Sequence, residues 1–327
     1  MIIFPEIAFD RATVMARIDE AVKRHGFCVI VVSEGAQYAD GTFLADAGST
    51  DAFGHKQLGG VAPMLASMSD RGPDSAGFAV YGDAQPGQTK ITVHAEAGEL
   101  RLVQLAEDLS HALEISVPHL IRENHAVLSV PAADTGQVLA WIEEHAPDIT
   151  VRAAGDRIEI YKDVGLPADV AKRFKLETLT GTHAVGHTRM ATESAVTTNG
   201  AHPFSTGADQ CLVHNGSLSN HNSLRRTLAS DGYRFKTEND SEVAAAYLTW
   251  RMREGRNLGG ALEDGLKDLD GFYTFVVGTE NGFGVLRDPI ACKPAVMAET
   301  DAYVAFGSEY RVLTGLPGIE NARVWEP

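Results

Sequence analysis

Gly186-His187-Thr188-Arg189-Met190-Ala191-Thr192 is followed by Val213-His214-Asn215-Gly216 and then by Asn239-Asp240-Ser241-Glu242-Val243. These three runs decide how the chain is read, because together they suit a pocket for a small amino-acid amide. Arg189 carries a planar fork of donors that matches an α-carboxylate. Asp240 offers an anion for an α-ammonium. Asn215 and Gly216 offer a side-chain amide and an unobstructed backbone N–H for the oxyanion that develops when an amide carbonyl is attacked. Taken singly, each residue has an ordinary explanation. An exposed Arg is a solvated charge, Asn-Gly is a hairpin turn, and an Asp before Ser-Glu is a helix cap. Amide chemistry also needs a nucleophile and a base to take its proton, which sends the search to the rest of the chain.

The bulk composition narrows the field. A chain of 327 residues can bury a full core in one large domain or two smaller ones. Its net charge of −16 provides no basic field to neutralise phosphates, which argues against a nucleic-acid or anionic-membrane partner. The three cysteines, Cys28, Cys211 and Cys292, form no CxxC pair, so neither a zinc ribbon nor a disulfide framework is expected. No metal or cofactor is expected either. No apolar run approaches the ~18 residues of a membrane span. Pro5, Glu6 and Asp10 stand where a signal peptide would place basic residues and then an apolar stretch, so a cytoplasmic protein is expected.

Hydrophobic periodicity divides the chain. Asp10 caps an expected helix over 10–26, and Phe27-Cys28-Val29-Ile30-Val31-Val32 reads as a buried strand. Residues 35–56 are rich in Gly, Asp, Ser and Thr and read as loop. Val61, Met64, Leu65 and Met68 fall at helical spacing, Arg71-Gly72-Pro73-Asp74 breaks that helix, and Phe78-Ala79-Val80-Tyr81 is strand-like. From about 90 to 176 the pattern suggests a small α/β insertion, with strands near 91–95, 126–130, 149–153 and 158–161 and helices near 100–115, 135–145 and 168–174. It holds no cluster of catalytic residue types, so it reads as a structural element or a partner surface. Beyond 183 come strands, two amphipathic helices near 217–230 and 241–254, and several short strands.

From about Leu65 onward the chain resembles the class II glutamine amidotransferases, which are N-terminal-nucleophile hydrolases. The residues that carry the resemblance are Arg71-Gly72-Pro73-Asp74-Ser75-Ala76-Gly77, the three runs quoted above, and His202-Pro203. Met190-Ala191-Thr192-Glu193-Ser194 and the insertion make it most similar to the amidotransferase subunits of N-methylglutamate synthase and glutamate-synthase-like systems. The resemblance implies an α+β, four-layer αββα sandwich. It implies that Arg189 and Thr192 contact the backbone groups of glutamine, Asp240 its amine, and Asn215 with Gly216 the oxyanion, with Arg71 beside the nucleophile. It also implies glutamate-synthase-like synthase subunits as partners. Glu193 replaces a His common in the sugar-amidating branch.

That family opens with Met-Cys-Gly-Ile-Val-Gly, which is absent here. Residues 1–64 instead resemble part of a pyrophosphate-dependent 6-phosphofructokinase, through Phe4-Pro5-Glu6, the 27–35 run and Asp51-Ala52-Phe53-Gly54-His55-Lys56-Gln57-Leu58-Gly59-Gly60. In that family Glu6 and His55 would lie near the sugar phosphate. Its phosphate-cradling loop and catalytic Thr-x-Asp segment have no counterpart here, so phosphoryl transfer is not expected. The chain reads as a chimera joined near Leu65-Ala66-Ser67-Met68, with a segment at 1–64 and an amidotransferase-like domain at 65–327. Cys28-Val29-Ile30-Val31 mimics the missing opening. Removal of residues 1–27 would make Cys28 a terminal nucleophile whose amine, with a pKa of about 7.7–8.0, suits a base. Three features oppose that reading: Val29 stands where the family has Gly, the helix expected before Cys28 reads as a folded element rather than a disposable leader, and a buried Cys in a strand is ordinarily inert packing. Cys211 and Cys292 are internal and read as core. The expected function is glutamine hydrolysis feeding ammonia to a synthase partner, impaired by the missing opening. The alternatives are a non-catalytic glutamine-binding or docking module, or a nonfunctional hybrid.

Overall fold

The computed structural model describes residues 28–35, 39–42, 56–57, 61–191, 195–280, 282–291, 293, 295–299, 304–316, 319–321 and 323–325. The helix expected over 10–26, together with Glu6, His55, Thr192, Glu193 and Cys292, lies outside these residues. Two sheets lie face to face between helices. The first runs, in spatial order, Arg323–Trp325 (β16), Ala295–Glu299 (β14), Val304–Gly307 (β15), Cys28–Gly35 (β1), His183–Arg189 (β9), Ser75–Tyr81 (β3) and Ile158–Val164 (β8), and Ala39–Thr42 (β2) pairs with β1. Both β15 and β9 run parallel to β1. The second sheet runs Phe204–Gly207 (β10), Gln210–Leu218 (β11), Gly271–Thr279 (β12) and Gly282–Arg287 (β13), all antiparallel.

Burial explains the strand sequences. All seven residues of β3 and all seven of β9 are buried, because one face meets helices and the other meets the second sheet. The sheets are joined across the interior at Tyr81, whose hydroxyl lies 3.4 Å from Cys211 Sγ, and at His183, whose Nε2 lies 2.8 Å from the Thr279 carbonyl. Helix α1 (Val61–Ser67) sits on the outer face of the first sheet beside α4 (Pro167–Arg173). Val61, Met64, Leu65 and Met68 are all buried there with Val170 and Phe174, as their helical spacing requires. On the outer face of the second sheet lie α5 (His221–Ser230), α6 (Asp240–Arg253) and α7 (Leu258–Asp268), around a core that includes Leu228, Tyr247, Leu262 and Phe275. The order helix, sheet, sheet, helix is the expected four-layer α+β sandwich.

The expected amphipathic helix near 241–254 is corrected in one respect. Residues 241 to 249 of α6 are all buried, because the helix is wedged between β10, β11 and its neighbouring helices. Ala244, Ala245 and Ala246 keep that packing close. Helix α7 was not expected: Gly259, Gly260 and Gly265 lower its intrinsic propensity. It forms because Asn257 caps it, accepting from the Gly260 N–H at 2.8 Å, and because Ala261 and Leu262 are buried.

The insertion between β3 and β8 has its own sheet, ordered His119–Arg122 (β5), His125–Pro131 (β6), Gln88–Ala95 (β4) and Ile149–Gly155 (β7). Helices α2 (Glu99–Leu113) and α3 (Thr135–His145) pack on it through Leu102, Leu105, Leu109, Val138 and Ile142. β5 is a short, half-exposed edge strand following Pro118, which hides it from periodicity. The strand and helix expected at the end of the insertion belong to the main body. β8 pairs with β3 over its full length, and α4 packs on α1.

Candidate functional site

The three sequence runs meet at one end of the facing sheets. Arg189 ends β9, and Asn215 and Gly216 lie on β11. Asp240 opens α6. The crossing point is His187, whose Nε2 lies 3.3 Å from the His214 carbonyl. Arg189 and Asn215 are thus within two residues of the contact between sheets.

The exit of β9 is clamped by the Arg71-Gly72-Pro73-Asp74 turn. Asp74 N–H donates to the Arg189 carbonyl at 3.0 Å, and the Asp74 carboxylate accepts from Ala191 N–H at 2.8 Å. A Cβ on Gly72 would lie 2.5 Å from the Thr188 carbonyl carbon and 2.6 Å from Arg189 N, so only glycine lets the turn approach the strand. Arg71 forms an ion pair with Glu309 at 3.1 Å, near the Arg311–Asp70 pair at 2.8 Å.

Asn215 is 1% exposed, and neither its carbonyl oxygen nor its amide nitrogen has a hydrogen-bond partner. Its cross-strand neighbour Thr274 is also buried, with an unpartnered hydroxyl. Ser75, in register with Arg189, is a second such hydroxyl. Buried polar groups are ordinarily satisfied, and leaving one unpaired costs about 1–3 kcal/mol. These orphans lie at the same end of the two sheets, where a polar ligand could complete their bonding. Gly216 has φ +135°, and a Cβ there would lie 2.0 Å from the Phe272 carbonyl oxygen, so the strand keeps its course beside Asn215 only with glycine.

Behind Asn215 a buried polar chain fixes the strand to α6. Ser241 Oγ lies 2.8 Å from His202 Nε2 and 2.9 Å from His214 Nδ1. His202 stacks on His187 with ring centroids 4.0 Å apart. Burial, with repulsion from Arg189 and His214, pushes His187 and His202 well below the ordinary imidazole pKa, so both are neutral at pH 7. Asp240 accepts from Leu218 N–H at 2.9 Å and lies 3.6 Å from His214 Nδ1. Burial acts to raise its pKa, but His214 and the Leu218 N–H outweigh it and hold the carboxyl at about 2. Asp240 is therefore an anion throughout the physiological range. The Asn239 side chain caps the helix, accepting from Ser241 N–H at 2.9 Å.

Cys28 stands elsewhere on the backbone. It pairs in register with His183, whereas Glu34 pairs with Arg189. Six residue steps of strand, 183 to 189, separate the two positions, about 20 Å. Cys211 is fully buried four positions before Asn215, and burial raises its thiol to about 11. Among the described residues no cluster of His, Cys, Asp or Glu could hold a metal ion.

The sequence runs contained Ser241, His187, His202 and His214, but nothing in their spacing announced a buried network. Thr274 carried no signal of its own, and Ser75 showed only as a member of the Arg71–Gly77 run. Their pairing partners, Asn215 and Arg189, identify them only once register is known.

Comparison with known proteins gives a consistent picture. A family model described as "Glutamine amidotransferase domain" matches residues 187–315. The chain is 60% identical over 264 residues to the glutamine amidotransferase-like protein GlxB of Rhizobium meliloti, covering 81% of this chain and 87% of that protein. It is 32% identical over 165 residues to the amidophosphoribosyltransferase of Methanocaldococcus jannaschii, covering 50% of this chain and 35% of that one. A stretch of 68 residues is 75% identical to the pyrophosphate–fructose 6-phosphate 1-phosphotransferase of Halomonas elongata, covering 21% of this chain and 16% of that protein.

Proposed function

The chain belongs to the glutamine amidotransferase family, and on that premise we propose that the pocket at the Arg189 end of the sheets binds glutamine. The observation that carries this reading is Asn215, a fully buried amide with both polar atoms unpartnered, beside a glycine that cannot be replaced. In the proposed complex Arg189 holds the α-carboxylate, Asp240 the α-ammonium, and Asn215 with Gly216 the side-chain carbonyl oxygen. Thr192 and Arg71 would complete the pocket, Arg71 by releasing Glu309. Released ammonia would pass to a glutamate-synthase-like synthase subunit.

Hydrolysis by Cys28 is proposed to be weak. What supports this is its register with His183, far along the strand from Asn215. A buried amide that donates to a developing oxyanion is worth about 10²–10³ in rate where the nucleophile is in place. Without a thiol in place the same donors still bind the ground state. Calorimetric titration with glutamine tests the reading, together with an assay of glutamate release. The expected result is saturable glutamine binding, weakened at least about tenfold in Asn215→Ala through loss of buried hydrogen bonds, with slow glutamate release. Absence of glutamine binding at millimolar concentrations would overturn it.

A further inference from the structure

A cleft of about 920 Å³ opens between the inserted subdomain and the main body. Helix α3 and strand β7 form one wall, and residues 199–206 with the 232–237 loop form the other. Arg189, Asn215, Gly216 and Asp240 do not line it. The 199–200 segment divides the two places. Asn199 accepts from Arg152 on the cleft side, while a Cβ on Gly200 would lie 3.4 Å from Arg189 Nη1.

We propose that this cleft is a second binding site, which takes a small organic anion. Its carboxylate or phosphate seats on Arg152 and Lys236, and its apolar body lies against Leu139, Ile142 and Tyr233. The decisive group is Arg152, 6% exposed, whose Nη1 donates to Asn199 Oδ1 at 2.7 Å while Nε and Nη2 have no partner. The Nε–Nη2 edge of a guanidinium presents two parallel donors, the geometry that receives a carboxylate or phosphate in bidentate fashion. Glu96 and Asp163 attract Arg152, but neither accepts a hydrogen bond from it. The Asp163 oxygens are taken by Thr198, Asn124, Arg173 and Val164 N–H.

The cleft's own acids are committed as well. Glu242 accepts from Lys236 N–H, Thr237 N–H and the Thr237 hydroxyl, and Glu143 pairs with Arg234 at the rim. Lys162, also on the wall, is buried and donates to the carbonyls of Ala201 and Pro203. Burial lowers Arg152 to about 10, and burial with repulsion from Arg152 lowers Lys236. Three cations thus face the cleft from both walls with no carboxylate bonded to the Arg152 fork, a surplus that a bound anion relieves. The Tyr233 hydroxyl is a further buried donor without a partner.

Calorimetric titration of the whole protein with benzoate and with phenyl phosphate tests the site. One of the two should bind saturably, and which one does identifies the head group. Binding should weaken at least about tenfold in Arg152→Gln and in Lys236→Gln, as expected for loss of a charge-assisted pair. Lys236 lies in a loop, so its variant keeps the test decisive if the buried Arg152 variant folds poorly. Glutamine affinity should be unchanged in Lys236→Gln, which separates this site from the first. No saturable binding of either anion, or equal binding by wild type and the Lys236 variant, would overturn the proposal.

Discussion

Replacing Ser241 by alanine removes one hydroxyl and should unfasten the wall behind the proposed glutamine pocket. Ser241 is fully buried, and its Oγ is shared by His202 Nε2 at 2.8 Å and His214 Nδ1 at 2.9 Å. One hydroxyl can donate to one imidazole and accept from the other. Alanine therefore strands His202 Nε2 and leaves His214 Nδ1 with only the Asp240 carboxylate, 3.6 Å away. A buried unsatisfied group costs about 1–3 kcal/mol, so the variant should lose about 1–3 kcal/mol. That is a measurable part of the 5–15 kcal/mol typical of a folded domain. The Asn239 side-chain cap accepts from the Ser241 N–H and does not involve the lost hydroxyl, so the helix start is retained. Urea unfolding followed by circular dichroism measures the loss. Because His214 directly precedes Asn215, glutamine affinity should fall in the same variant. A loss below about 1 kcal/mol, with glutamine affinity unchanged, would refute the view that this hydroxyl organises the site.

Two further outcomes follow from the same region. Gly216→Ala should cost more than about 2 kcal/mol and abolish glutamine binding, since φ +135° and a Cβ 2.0 Å from the Phe272 carbonyl oxygen must both be accommodated; urea unfolding and calorimetry check this. Acid should destabilise the fold well above the carboxylate range. His183 is 1% exposed, and burial holds its pKa at about 4, below the unfolded value of about 6.5. The unfolded chain therefore takes the proton first. The stabilisation is complete above pH ~6.5, falls as the pH drops, and amounts to about 2 kcal/mol lost by pH 5. His183→Gln should lose about that much less between pH 7.5 and 5, and parallel pH profiles of wild type and variant would refute it.

The sequence announced the sandwich through the family resemblance its motif runs carry, while periodicity announced single elements such as α1, whose stripe is Val61, Met64, Leu65 and Met68. The elements it concealed share a physical cause: their burial is decided by partners remote in sequence. Helix α7 contains three glycines and is stabilised by a cap and by packing rather than by propensity. Residues 241 to 249 look like a mixed face until β10 and β11 cover one side and neighbouring helices the other. The site divides in the same way. Arg189, Asn215, Gly216 and Asp240 could be named from their chemistry, since a fork, an amide, a bare N–H and an anion are legible as residue types. Thr274 and Ser75 could not, because their relevance comes from standing opposite Asn215 and Arg189 across a ladder. The cleft at Arg152 was equally invisible, as its cations come from β7, β8 and the 232–237 loop.

The remaining question of chemistry turns on the register of β1. To stand beside Arg189, Cys28 would have to move six residues along β9. Six is even, so the alternation of faces would survive the slide. The pairing would not. Residues 28 to 30 pair with β15, and residues 32 to 35 pair with β2, so both ladders would be broken. Each broken backbone bond costs about 0.5–1.5 kcal/mol net even when water replaces it. A slide on this scale is therefore not a fluctuation that catalysis could use on every turnover. A thiol-reactive glutamine analogue, followed by mass-spectrometric mapping of the modified residue, reads the outcome directly. Cys28 should show no preferential labelling and no protection by glutamine. Stoichiometric labelling of Cys28 that glutamine prevents would overturn the register argument and make this strand the carrier of the nucleophile.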